Sequence, residues 1–275
     1  MSYQDITARN SLVSWNISCD YFTNAGSARE NNEDSLLIYN RVISSCSMKK
    51  PVKINIPEKA NLFCVADGVG GHNKGELASK EVLTSLSESF LNDPHIQIED
   101  AVKRAKDHLD HLAATDPSLL NFGTTLAGIY LNNFQISVFN CGDSRVYRLN
   151  DPFFEKVTDD HSIVETLVKN GLIDENEARV HPQKNVITSG IFGDGTTQFP
   201  TLFIKFFSLR NDEVFLICSD GVWEIIDIDL LEELYKTNGI GNFAESILNA
   251  CLQNKAEDNI SAIVVHIIHD PVSQV

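Results

Sequence analysis

Two things are scarce in this sequence: long apolar segments and positive charge. No uninterrupted apolar segment approaches the roughly 20 residues that cross a bilayer. The first five residues also lack the basic and apolar regions of a secretory signal. The 22 Lys and Arg residues face 38 Asp and Glu, a net charge of −16, whereas nonspecific nucleic-acid binding needs clustered positive charge. We therefore expect a cytoplasmic protein with no membrane or nucleic-acid partner.

The cysteines have neither the spacing of a zinc site nor that of a disulfide framework. No Cys-x-x-Cys occurs, and several of the six lie in apolar, strand-like segments. This pattern predicts buried, reduced thiols, as is usual in the cytosol. The six are Cys19, Cys46, Cys64, Cys141, Cys218 and Cys251.

The length of 275 residues and the 43% hydrophobic content suit one globular domain, which we place at 1–275. The pattern predicts strands, then two helices, more strands, an irregular segment, strands, a helix and a last strand. Because strands and helices do not alternate regularly, antiparallel sheets with helices packed outside are favoured over a doubly wound parallel sheet. The predicted helices are 75–91, 98–114, 162–170, 174–179 and 241–254. The predicted strands include 12–19, 35–39, 124–131, 134–140, 146–149, 201–207, 213–218 and 260–268. The segment 43–60 is interpreted as a loop or insertion.

The irregular segment, 158–200, combines two short predicted helices with polar loops. We interpret it as an excursion from the sheet that forms a flap over a functional site.

Three carboxylates stand beside apolar, strand-like segments. Asp67 and Asp220 each follow such a segment and precede a glycine, and Asp258 precedes the last one. Asp-Gly is also a common turn dipeptide, and Asp194-Gly195 is interpreted as no more than a turn. We interpret the first three acids as converging on metal ions.

Carboxylate, carbonyl and water oxygens are the ligands that Mg²⁺ and Mn²⁺ prefer. We therefore expect Asp67 to bridge two such ions, with the Gly68 carbonyl as a further ligand because glycine lets the backbone approach closely. A water touching both ions becomes a nucleophile near neutral pH. Arg29 is the candidate for a bidentate hold on phosphate, although it also suits surface pairing with Glu30 or Glu33. Glu33 and Asp34 are candidates for orienting water, or form a solvated acidic turn.

Six short motifs, in this order, resemble metal-dependent protein serine/threonine phosphatases of the 2C type, with a compact bacterial form of the second motif. The resemblance runs from about residue 15 to 268. The motifs are Arg29-x-x-Asn32-Glu33-Asp34, Asp67-Gly68-x-Gly70-Gly71-His72, Gly123-Thr124-Thr125, Gly142-Asp143-Ser144-Arg145, Ser219-Asp220-Gly221 and Asp258-Asn259.

The resemblance implies an α+β fold, a four-layer α/β/β/α sandwich of two antiparallel sheets flanked by helices, with a dinuclear Mn²⁺ or Mg²⁺ site at one end. It implies that Asp67, Gly68, Asp220 and Asp258 hold the two ions. It also implies that Asp143 joins Asp220 on a third, weaker ion, as in bacterial relatives. In this interpretation Arg29, Asp34 and Asp67 are catalytic, while Glu33, Asp34 and Asn259 support the ligands. The implied partners are phosphoprotein substrates and an opposing Ser/Thr kinase.

Several positions depart from the family pattern. Val69 stands where animal-type members have a histidine proposed as general acid, and His72 is either its substitute or a turn histidine. Ser189 replaces a frequent arginine in the flap, which leaves substrate choice open. The predicted function is hydrolysis of phosphoserine and phosphothreonine in proteins. The alternatives are a catalytically silent phosphoprotein-binding scaffold and a phosphatase of small phosphometabolites.

Overall fold

The computed structural model describes residues 14–56, 62–69, 74–132, 135–210 and 212–270. Fifteen strands lie in this part of the chain. In chain order they are β1 (Ser14–Asn24), β2 (Ser35–Ile38), β3 (Arg41–Ile43), β4 (Val52–Ile56), β5 (Leu62–Ala66), β6 (Gly68–Val69), β7 (Phe122–Thr124), β8 (Leu126–Asn132), β9 (Gln135–Cys141), β10 (Arg145–Asn150), β11 (Phe153–Lys156), β12 (Ile191–Gly193), β13 (Phe203–Ser208), β14 (Asp212–Cys218) and β15 (Ile260–Asp270).

Six α-helices and one short 3-10 helix, Pro117–Leu119, accompany the strands in the described ranges. The helices are α1 (Lys74–Asn92), α2 (Ile98–Thr115), α3 (Ile163–Lys169), α4 (Glu175–Val180), α5 (Asp220–Trp223) and α6 (Ile228–Gln253). None of them has both the length and the apolar composition required to cross a bilayer.

Two six-stranded antiparallel sheets form the centre of the fold. The first has the order β11-β10-β14-β15-β1-β4 and the second β13-β9-β8-β5-β2-β3. A core cluster between them includes Phe63, Phe215 and Val265. Helices α1 and α2 cover the second sheet, and α6 covers the first. The predicted four-layer α/β/β/α sandwich is confirmed. Strand β5 has the other sheet on one face and helices on the other, which explains why it is buried at every position.

Some local predictions were wrong. The segment 43–60, predicted to be a loop, contains β4, which pairs with β1 through long-range contacts that local periodicity does not report. The last helix begins at Ile228, because Asp227 caps its N-terminus by accepting a hydrogen bond from the Leu230 amide. The chain kinks at Gly239, whose φ is 63°, so the predicted helix 241–254 covers only the part beyond the kink. A small third sheet of β12, β7 and β6 was not predicted.

The strand pairing brings the ends of eight strands to one edge of the sandwich. In the first sheet Asn24 pairs with Ile260, and Cys218 lies between Ala262 and Arg145. In the second sheet, β2 begins where β5 ends, and β9 ends beside the start of β8. The loops that follow or precede these ends carry all the predicted metal ligands.

All six cysteines are free thiols, five of them buried and Cys46 partly buried. This confirms the prediction that they form no disulfide framework. Burial raises the pKa of the Cys64 thiol well above its usual value, as expected for a cysteine that serves only to pack the core.

Candidate active site

Five carboxylates converge at this edge. Burial raises the pKa of Asp67 well above its usual value, and the charges of the other four raise it further. The sandwich thus brings together side chains from loops after β5, β9 and β14 and before β2 and β15. The other four are Asp34, Asp143, Asp220 and Asp258.

Asp67 is held mainly through its backbone by the Gly-Thr-Thr motif. Its carbonyl accepts hydrogen bonds from the Thr125 amide (2.8 Å) and the Thr124 hydroxyl (2.7 Å), and its amide donates to Thr125 Oγ1 (3.1 Å). The Thr125 and Ser144 hydroxyls share a hydrogen bond of 2.7 Å. Thr125 therefore links the loop of Asp67 to the loop of Asp143.

Asp34 lies beneath the other acids and is fully buried. Ser219 Oγ donates a 2.8 Å hydrogen bond to its Oδ2, and Ser261 also bonds to its carboxyl group. Its Oδ1 has no partner among the described residues. The pKa of Asp34 is raised to about 7. Burial is the main cause and the charges of Asp220 and Asp258 act in the same direction, whereas the two hydrogen bonds lower the pKa.

Asn259 fixes the loop that carries Arg29. Its side-chain nitrogen donates to the carbonyls of Ala25 and Asn31, and its Oδ1 accepts from the Glu33 amide at 2.8 Å. Arg29 Nη2 donates to Asp258 Oδ2 at 2.7 Å, so Arg29 forms an ion pair with Asp258.

Gly68 lies directly against Gly75 at the start of α1. A Cβ on Gly68 would come within 2.3 Å of the Gly75 carbonyl carbon, and a Cβ on Gly75 would meet Glu33 Oε2 at 2.6 Å. These contacts place Gly68 and Glu33 close to the Asp67 loop. Val69 belongs to β6 and pairs with Gly123, whereas His72 lies outside the described residues, so its predicted role stays open.

The donor set fits a divalent cation, because burying several carboxylates without one is costly. Burial and Asp220 raise the pKa of Asp143 to about 8; burial and Asp258 raise that of Asp220 to about 6. Asp34 Oδ1 and Asp220 Oδ1 are buried oxygens without a hydrogen-bond partner in the described ranges. In those ranges no group of three Asp, Glu, His or Cys side chains is arranged to hold an ion by itself, so the fit depends on the buried carboxylate oxygens that have no partner there.

The segment 158–200, predicted to form a flap, begins beside this group of acids. Helices α3 and α4 lie within the predicted segment 158–200 and confirm its two short helices. A cavity of about 380 Å³ separates them from Trp223 and Asp143. Ser189 lies at the base of the flap, where its hydroxyl bonds to the backbone of Thr201 and lies 3.4 Å from Cys141 Sγ.

Comparison with known proteins agrees with the arrangement of these motifs. The family model described as protein phosphatase 2C matches residues 21–167, more than half of the chain. The chain belongs to the protein phosphatase 2C family. The family predicted from six short motifs is thereby confirmed.

Several bacterial proteins are similar to this chain. The serine/threonine protein phosphatase PstP of Mycobacterium tuberculosis is 29% identical over 213 residues, which are 76% of this chain and 41% of PstP. The serine/threonine phosphatase stp of Listeria innocua is 26% identical over 255 residues, covering 90% of this chain and 94% of stp. The chain thus spans about two fifths of the length of the PstP sequences that it matches.

A solved structure extends the comparison to metals. The catalytic domain of PstP in complex with two manganese ions superposes with a TM-score of 0.74 at 25% identity, covering 93% of this chain and all of that one. The fold is therefore shared with the catalytic domain of PstP, whose solved structure contains two manganese ions.

Sequence reasoning assigned no role to several residues that the site uses. Ser219 bonds Asp34, Thr125 bonds Asp67, and Trp223 Nε1 donates to the Asp143 carbonyl at 2.9 Å. Ser219 and Thr125 lie inside recognised motifs, so their position was a usable signal. Trp223 lies outside the motifs, and its contact depends on the tertiary structure.

Proposed function

We propose that this protein hydrolyses phosphoserine and phosphothreonine in proteins, using two Mn²⁺ or Mg²⁺ ions. The observation that carries this proposal is the group of five carboxylates at one edge of the sandwich. Among the described residues, only Asp258 of this group forms an ion pair with a cationic side chain. Phosphate-monoester hydrolysis needs strong charge neutralisation, because its uncatalysed rate is among the slowest known.

Asp67, Asp220, Asp258 and the Gly68 carbonyl would hold the two ions, with Asp143 available for a third. Bound there, the ions supply Lewis-acid stabilisation of the phosphoryl oxygens and lower the pKa of a water to about 7. The hydrogen bonds from Thr124 and Thr125 hold the Asp67 backbone so that its carboxylate faces the other acids.

The remaining residues bind substrate and direct water. Arg29 has one Nη on Asp258 and over half of its side chain exposed, so its exposed donors can take a phosphoryl oxygen. Asp34 Oδ1 has no partner among the described residues and is placed to accept a hydrogen bond from a water in the site. The backbone of Glu33 is held by Asn259 and Ser79, which fixes this acid beside the same water positions.

The wider assignments follow from this function. We infer one phosphatase domain over 1–275, with 158–200 as a flap that contributes to substrate choice. Its partners would be phosphoproteins and, through them, an opposing Ser/Thr kinase, in the cytoplasm. A silent scaffold is disfavoured, because a binding module gains nothing from burying Asp34, Asp67, Asp143 and Asp220 together. No structural feature favours small phosphometabolites.

The decisive experiment is phosphate release from a phosphothreonine peptide with Mn²⁺, with Mg²⁺ and with EDTA, beside a phosphotyrosine peptide of the same sequence. We expect metal-dependent release that favours phosphothreonine. Asp220→Asn serves as the matched inactive control. Mn²⁺ binding without release by folded protein would support the scaffold, and equal release from the two peptides would contradict the assigned specificity.

A further inference from the structure

Arg145 is a partly buried arginine next to the candidate metal ligands. It follows Asp143 and Ser144 at the start of β10, and 19% of its side chain is exposed. Its guanidinium forms a forked hydrogen bond with Asp160, in which Nη2 and Nε donate to Oδ2 at 2.6 Å and 2.9 Å. Nη1 donates to the Tyr147 hydroxyl at 3.2 Å. Each of the three guanidinium nitrogens therefore donates a hydrogen bond within the protein.

The flat face of the same group lies on Trp223. The Arg145 Cζ atom is 3.6 Å from the centre of the indole ring, within the range of a strong cation–π contact. Trp223 in turn donates from Nε1 to the Asp143 carbonyl oxygen at 2.9 Å. Trp223 is the last residue of α5, the helix whose first residue is Asp220.

These contacts join three segments that meet at the site. Asp143 lies in the turn between β9 and β10, Asp220 begins α5, and Asp160 lies at the start of the flap. Asp160 is 6% exposed, and apart from Arg145 its ion-pair partner is Lys156, at 3.7 Å. Arg145 is thus the centre of a connection between two candidate metal ligands and the flap.

We propose that Arg145 is a positioning residue, which through Trp223 and Asp160 sets the placement of Asp143 relative to Asp220 and fastens the base of the flap to both. This inference rests on the proposed function, since it concerns the use of Asp143 and Asp220 as metal ligands. Partners of this kind, which orient the ligands of a metal, typically change metal affinity or activity by about 10- to 100-fold when mutated.

The chemistry requires arginine. A lysine at position 145 would keep the charge but would lose the planar fork and the stacking on the indole. A single ammonium nitrogen would then remain to bond Asp160, and the indole of Trp223 would lose the planar group stacked on it.

A second arginine on the same strand supplies a matched control. Arg148 is buried, forms a fork with Glu213 that includes a 2.9 Å bond from Nε to Oε2, and stacks on Phe207 at 4.5 Å. Among the described residues, its contacts involve neither the segment 158–200 nor a candidate metal ligand. Arg148→Lys therefore removes a similar fork and a similar stacking contact without affecting the proposed connection.

The test compares Arg145→Lys, Arg148→Lys and wild type by calorimetric Mn²⁺ titration, and by proteolysis within the flap in EDTA. We expect Arg145→Lys to need about 10- to 100-fold more Mn²⁺ for half-saturation, and to be cleaved faster in the flap. Arg148→Lys should lower thermal stability but leave the Mn²⁺ titration and the flap cleavage as in wild type.

Trp223→Phe is the second variant, because it keeps a ring for Arg145 but removes the hydrogen bond to the Asp143 carbonyl. We expect it to fold and to need more Mn²⁺ than wild type. Equal Mn²⁺ titrations for wild type, Arg145→Lys and Trp223→Phe would overturn the inference while leaving the proposed function intact. Failure of folded wild type to bind Mn²⁺ would overturn both.

Discussion

Arg29 Nη2 lies 2.7 Å from Asp258 Oδ2, although 229 positions separate the two residues in the sequence. The contact closes the edge of the first sheet, where β1 ends and β15 begins. It places a guanidinium beside the group of buried acids, which is the position that a phosphate-binding cation needs. Arg29 is 57% exposed at its side chain and Asp258 34%, so the pair adds little to stability.

Arg29→Lys should therefore reduce catalysis and leave stability unchanged. Lysine retains a charge near Asp258 but loses the planar fork that we propose for phosphate binding. We expect kcat/KM for a phosphothreonine peptide to fall on the order of 10²-fold. The check is steady-state kinetics at saturating Mn²⁺ beside thermal unfolding; unchanged kinetics would show that Arg29 serves only Asp258.

Asp220→Asn should have opposite effects on activity and on the stability of the metal-free protein. With Mn²⁺, turnover should fall by orders of magnitude, because a ligand carboxylate is lost. In EDTA, the variant should unfold at a higher temperature than wild type, since one of several mutually repelling buried charges is gone. Thermal unfolding in EDTA measures this directly. A lower unfolding temperature would show that Asp220 stabilises the fold without metal.

Stability of the metal-free protein should decrease as pH rises. The pKa of Asp34 is raised to about 7 and that of Asp143 to about 8 from 3.8, chiefly by burial. The folded state therefore binds more protons than the unfolded state between about pH 4 and pH 8, and its stability is lost progressively across that window. Unfolding in EDTA from about pH 5 to about pH 8 tests the sign, with Asp34→Asn expected to flatten the slope. Stability that increases with pH would contradict this account.

Gly26→Ala should damage the site more than an equivalent change elsewhere. Gly26 has φ +75°, and an added Cβ would lie 2.1 Å from the Asp258 carbonyl oxygen. Gly195 has φ +70° with nothing within 4 Å, so Gly195→Ala isolates the cost of the left-handed conformation, about 1–2 kcal/mol.

We expect Gly26→Ala to lose more stability than Gly195→Ala and, unlike it, to require more Mn²⁺ for activity, because Asp258 must move. Chemical unfolding and Mn²⁺ titration of the two variants compare these effects. Equal losses of stability and equal Mn²⁺ requirements in the two variants would show that the close contact between Gly26 and Asp258 does not affect metal binding.

The family and the identity of the acids could be predicted from the sequence because both are local features. Asp67 and Asp220 each stand where an apolar strand meets a glycine turn, and that boundary is visible without any contact information. The 3.6-residue period likewise located α1 and α2 to within a residue at each end. The helix before Gly239 was missed, because the backbone kink interrupts the pattern.

Only the tertiary structure determined which residues contact each acid. That Ser219 bonds Asp34 across 185 positions, that Arg29 reaches Asp258, and that Arg145 stacks on Trp223 all depend on strand pairing between distant segments. The sequence by itself determined which groups lie at the ends of strands, because hydrophobic periodicity is local. Their distances, burial and raised pKa values arise when the two sheets pack, since both desolvation and charge repulsion depend on separation in space.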